Sequence, residues 1–115
     1  MQKIIFDTDP GVDDALALML LAKSKFAELL AITTVAGNST IENTTANAQF
    51  LKSLLKLNTP IYSGADSALK NPFTIARVHG TSGLSGIDHR EVANITNNAS
   101  QKLVQIIKAN PGEVT

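Results

Sequence analysis

Four carboxylates, Asp7, Asp9, Asp13 and Asp14, crowd into the stretch DTDPGVDDA of a chain whose formal net charge is zero. Two unit charges about 4 Å apart repel by roughly 1 kcal/mol in water and roughly 4 kcal/mol at an effective dielectric near 20. The positive end of a helix offsets only about 0.3–1 kcal/mol per charge. A bound cation is the more effective remedy. Carboxylate oxygens are hard ligands, so with no cysteine and only two histidines the donor set favours Ca²⁺ or Mg²⁺ over Zn²⁺. A plainer reading makes Asp9 an N-cap and leaves Asp13 and Asp14 as decoration of a first helical turn. That suits one acid better than four. A calcium helix-loop-helix is a poor match, because residues 7–18 lack both the Asp-x-Asp-x-Asp-Gly order and a Glu at the twelfth position.

The elements that must position these acids can be read from the apolar pattern. Ile4-Ile5-Phe6 is an unbroken apolar run, as expected of a strand buried on both faces of a parallel sheet. From Pro10 the period changes, and Leu16, Met19, Leu20 and Lys23 fall at helical spacing, with Pro10 suited to the first turn. A second run, residues 29–35, stops at the turn Ala36-Gly37-Asn38. Ser39 or Thr40 can cap the next helix, Glu42 is placed for a capping box, and Ala46, Phe50, Leu51, Leu54 and Leu55 form its stripe. Residues 60–63 predict a short third strand, 64–98 an irregular stretch, and 99–109 a helix with Leu103, Ile106 and Ile107 inward. Asn110-Pro111-Gly112 ends that helix, and 113–115 begin another strand. The fold class is α/β, an open, mainly parallel sheet with flanking helices. Both polar turns, 7–14 and 36–38, lie at carboxyl ends of strands, where such sheets bind ligands.

Composition limits the alternatives. With 115 residues, 43% hydrophobic and 17% charged, the chain fits one globular domain or part of one. Ten basic residues balance ten acidic ones, which gives no general attraction to nucleic acid or to an anionic membrane. The expected partner is a small molecule. Absence of cysteine removes disulfides and thiol nucleophiles. MQKIIFDTD has none of the features of a signal peptide, so a cytoplasmic location is expected.

Asp7-Thr8-Asp9-Pro10-Gly11-Val12-Asp13-Asp14-Ala15 after an N-terminal apolar strand resembles the signature of the inosine-uridine preferring nucleoside hydrolases. The resemblance continues through residues 33–38, 42–48 and 78–84 and so covers essentially the whole chain. It implies that residues 1–115 are the N-terminal part of a single domain of that fold, and that the substrate is a ribonucleoside cleaved at its N-glycosidic bond. It also implies Ca²⁺ as cofactor, with Asp9 and Asp14 as ligands and Asp9 as general base toward the ion-activated water. Asp13 and Asn38 would hydrogen-bond ribose hydroxyls, His79 would lie beside the nucleobase and help protonate it, and Asp7 would orient ligands from behind. Family members complete the site with later residues and form homo-oligomers. Where many relatives carry Asp and Gly this chain has Ser82 and Ser85, which leaves purine or pyrimidine preference open. His89 matches no site and is expected at the surface.

Two other readings stand beside this one. Asp7-x-Asp9 after a strand also resembles the opening motif of haloacid-dehalogenase-like phosphatases, with Asp7 as nucleophile and Mg²⁺ as the ion, but residues 10–14 depart from that pattern. A non-catalytic remnant or interaction module would keep the same α/β start and associate through its open sheet edge and apolar helix faces.

Overall fold

Strands that alternate with helices of this length pack as a parallel sheet covered by its own crossovers. The computed structural model describes residues 1–76 and 78–115. Its order is β1 (Gln2–Thr8), α1 (Val12–Lys23), β2 (Ala27–Thr34), α2 (Ile41–Leu54), β3 (Ile61–Ser63) and α3 (Ala99–Ala109). β2 is central and pairs in parallel with β1 on one side and β3 on the other. Lys3 forms a further parallel bridge with Val114. Ile5 N donates to Thr115 O and Thr115 N donates to Lys3 O, both at 2.9 Å. The strand expected at 113–115 therefore starts beside β1, and the order across the sheet is β3, β2, β1 and then this last segment. Strand order reverses direction at β1. Its carboxyl end is a topological switch point, the place where open α/β sheets leave a crevice for a ligand.

Register sets what that end presents. A shift between Ile4 and Ile5 leaves Leu30 of β2 as an extra residue, and beyond it Asp7 lies opposite Thr33 and Thr8 opposite Thr34. The core joins Ala15 and Leu18 of α1, Ile32 of β2, Ala48 and Leu51 of α2 and Leu84 of the long connection. Full burial of a side chain the size of Leu18 or Ile32 contributes about 1.5–3 kcal/mol. Ala31 and Thr33 are buried as well, so both faces of β2 are covered. No helix among the described residues is long and apolar enough to cross a membrane.

Several expectations need correction. Ile4, Ile5 and Phe6 are half-buried rather than buried on both faces, because the helices lie mainly against β2 and β3. In α1 Ala15 and Leu18 are buried and Met19 packs half-buried against the core as expected, while Leu16 is 62% and Leu20 77% exposed. VDDALALMLLAK is apolar around most of its circumference, so spacing alone cannot choose the packed face; small Ala15 permits the closer approach. Pro10 precedes the helix, whose N-cap is Gly11. The cap of α2 is Thr40, whose hydroxyl accepts from Asn43 N at 3.3 Å. That puts Asn43 rather than Glu42 at the third helical position, and Asn43 Nδ2 donates to Ser39 Oγ at 2.8 Å. Leu54 and Ile107 are exposed rather than inward. The bounds of α3 are as expected, and so is the lack of regular structure over 64–76 and 78–98, the remaining position of that stretch lying outside the described residues.

Candidate active site at the end of the first strand

The turn after β1 is bonded directly to the turn after β2. Asn38 N donates to Asp9 Oδ2 at 2.8 Å, and Asn38 Nδ2 donates to Asp9 O at 2.9 Å. The first bond is charge-assisted and correspondingly strong. Gly37 makes the approach possible, since a Cβ there would fall on the Asp9 carboxylate. Asp9 is thus engaged across the crevice and is not the cap of α1. Among the described residues its Oδ1 has no hydrogen-bond partner.

The remaining acids divide by position. Asp14, in the first turn of α1, accepts from Gly11 N at a long 3.4 Å. Asp13, one residue earlier, is exposed. Asp7 is exposed and accepts from Thr33 Oγ1 at 2.5 Å, straight across the register pair.

His79 arrives from the long connection. Its Nδ1 accepts from Val12 N at 3.2 Å, which places the half-buried ring on the first turn of α1. A Cβ on Gly11 would lie 2.6 Å from His79 Nδ1 and 2.8 Å from Asn38 Nδ2. Three segments therefore converge over Gly11: the acid turn, the Gly37-Asn38 turn and the His79-Gly80 loop. Gly80 and Gly83 have φ of 75° and 89°, a left-handed conformation that glycine adopts without steric cost. A cleft of about 490 Å³ opens beside this junction, lined by Ser39, Thr40, Asn43, Ala76, Gly80 and Thr81. Its size suits a small organic ligand.

The structure brings Asp9, Asn38, His79 and Asp14 around one glycine, and leaves Asp7 on the strand and Asp13 on the open side of α1. Among the described residues no three Asp, Glu or His side chains are grouped to hold a metal ion. Asp9 and Asp14 fit Ca²⁺ by donor type, and their number falls short of the usual 6–8 oxygens.

Sequence reasoning missed two residues. Asn47, only 1% exposed, donates through Nδ2 to Pro10 O at 3.3 Å and Ser82 O at 2.7 Å. His89 is half-buried rather than at the surface: its Nε2 bonds Asn47 Oδ1 at 2.7 Å, and its ring stacks on Phe50 with centroids 4.7 Å apart. The available signal was an amide, Asn47, flanked by Ala46 and Ala48 at buried positions of α2, since a buried amide must find partners.

Comparison with known proteins supplies the classification. The family described as inosine-uridine preferring nucleoside hydrolase matches residues 4–115. The chain belongs to that nucleoside hydrolase family. It is 35% identical over 99% of its length to a pyrimidine-specific ribonucleoside hydrolase, RihB, of Escherichia coli O1:K1, and spans 37% of that protein. Among solved structures it resembles the plant nucleoside hydrolase PpNRh1, with a TM-score of 0.83 and 32% identity, covering 98% of this chain and 37% of that one. It also resembles a purine-preferring ribonucleoside hydrolase from Gardnerella vaginalis, with a TM-score of 0.86 and 27% identity, covering 98% of this chain and 38% of that one. Membership in the nucleoside hydrolases sets aside the phosphatase resemblance of Asp7-x-Asp9.

Proposed function

We propose that the polypeptide carrying this chain hydrolyses the N-glycosidic bond of ribonucleosides, and that these residues supply its acid turn, ribose contacts and base-side histidine. The convergence of Asp9, Asn38 and His79 over Gly11 at the switch point carries the reading. In the reaction the bond between the anomeric carbon and the base nitrogen breaks through an oxocarbenium-like transition state. Water oxygen bonds the same carbon, one water proton goes to a general base, and the departing base gains a proton.

Asp9 suits the role of base because Asn38 holds Oδ2 while Oδ1 is left to accept. General base catalysis of this kind adds about 10²–10⁴-fold. Asn38 uses Nδ2 on Asp9 O, which leaves its Oδ1 to accept from a ribose hydroxyl. Asp13, exposed in the first turn of α1, would accept from another. His79 gives Nδ1 to Val12 N, so its neutral form carries the proton on Nε2, available to the leaving base. Asp9 and Asp14 would hold a Ca²⁺, whose field when bound eases deprotonation of the water and offsets the clustered acids. Asp7, bonded to Thr33, would orient the strand end rather than ligate.

The test is ribose release from inosine and uridine, with Ca²⁺ and with chelator, on this chain and on any longer product that contains it. Calcium-dependent release supports the proposal. Failure of both forms to release ribose under conditions where Ca²⁺ binds would reject it in favour of a non-catalytic interaction module.

A further inference from the structure

We infer that Asn47 and His89 form a positioning pair that sets how closely the His79 loop sits on the acid turn. The inference rests on the site reading above only for its catalytic meaning; the pairing itself stands on geometry.

Asn47 is on α2, which contributes none of the four converging residues, and its amide reaches both sides of the junction. One donor goes to Pro10 O of the acid turn at 3.3 Å and one to Ser82 O of the loop at 2.7 Å. Two carbonyls demand the NH₂ end there, so the amide orientation is settled by its partners. Asn47 Oδ1 then needs a donor, and His89 Nε2 stands 2.7 Å away. His89 Nδ1 accepts from Glu91 N at 3.3 Å, so the neutral ring must carry its proton on Nε2. Every bond in the chain from Glu91 N to Pro10 O has one consistent direction.

Packing fixes the pair in place. The His89 ring lies parallel to Phe50, at an interplanar angle of 4°, and Phe50 is three residues beyond Asn47, on the same helix face. Buried Gly83 lies against Asn47, and a Cβ there would come within 3.0 Å of Asn47 Nδ2. Leu84 follows into the core at 1% exposure. The loop is thus pinned at 82–84 by Asn47 and Leu84, and at 79 by Val12 N. Freeing the first pin loosens the second, because the two are joined by the short, glycine-containing run 80–82.

The test reads His79 rather than stability. In the 115-residue chain labelled with ¹⁵N, the His79 ring should show the Nε2–H tautomer, and the Val12 amide should be protected from exchange. His89→Phe keeps the stack on Phe50 and removes the donor. It should average the His79 tautomers and speed Val12 exchange about tenfold, well below the unfolding midpoint, the loss expected when one buried hydrogen bond fails. His89→Gln restores a donor to Asn47 and should recover most of the protection. Asn47→Ala should go further than His89→Phe, and where it fails to fold the His89 pair still decides. Unchanged His79 and Val12 signals in His89→Phe, or no recovery in His89→Gln, would overturn the inference. None of these readouts uses nucleoside or metal, so a negative ribose-release assay leaves the pair intact, and a positive one does not by itself support it.

Discussion

Gly37→Ala tests the Asp9–Asn38 junction at its tightest point. Gly37 is outside the left-handed region, so alanine meets no backbone penalty there; the new Cβ instead falls on the Asp9 carboxylate. Either Asp9 swings away and Asn38 N loses its 2.8 Å bond, or the two turns separate and both bonds stretch. Overpacking of this kind costs about 1–3 kcal/mol, and loss of a hydrogen bond to a charged group costs about 1.5–3 kcal/mol. A net loss of roughly 2–3 kcal/mol should lower Tm by about 6–15 °C at this chain length. Urea and thermal unfolding measure it, alongside the Asn38 amide resonance, which should shift and lose exchange protection. In an Asp9→Ala background the same substitution should cost under about 1 kcal/mol, because nothing remains to collide with, giving a coupling of more than about 1 kcal/mol between the positions. Equal costs in the two backgrounds would refute the steric argument.

Asn38→Asp removes the amide donor to Asp9 O and sets a second carboxylate beside Asp9; it should destabilise by about 1–3 kcal/mol in chemical denaturation. Thr8→Val should leave stability unchanged or raise it by up to about 1 kcal/mol, since the buried Thr8 hydroxyl has no hydrogen-bond partner among the described residues; a clear loss in calorimetry would argue against that environment. The Lys3 ammonium is hydrogen-bonded to the Glu113 carboxylate, which raises its pKa above the ordinary 10.5. The stabilising effect of that pair is fully present below 10.5 and is lost as pH rises through the raised value. Lys3→Met should therefore flatten the alkaline limb of the stability curve and speed exchange of the Thr115 amide.

Much of this was legible in the residues because it rests on local rules. Apolar runs and turn signals located β1, β2, β3 and the full extent of α3, and the strand-helix alternation put both polar turns at carboxyl ends of strands; the switch point at β1 came from the strand order. What escaped depends on partners distant in sequence. The packed face of α1 was ambiguous because leucines and alanines surround it, and Leu16 and Leu20 turned outward. His89 was assigned to the surface because nothing near it in sequence shows Phe50 or Asn47, 39 and 42 residues away, waiting to receive it. A capping role for Asp9 remained open as the plainer alternative until Asn38 was seen to hold it. Among the described residues, 64–76 and 78–98 lack regular structure, and the placement of His79 at α1 is a tertiary outcome with no periodic signature.

We propose that the acid turn tolerates its charge through a hard divalent ion held by Asp9 and Asp14 beside Asn38. Titration of Ca²⁺ into the ¹⁵N-labelled chain, following the amides of Asp9, Gly11, Asp14 and Asn38, tests it most directly. These signals should move together and saturate with a Kd of about 10⁻⁴–10⁻³ M, as suits an open site with few protein ligands, and Asp9→Asn should abolish the response. Shifts no larger at these residues than at exposed Asp88 and Glu91, without saturation, would contradict it.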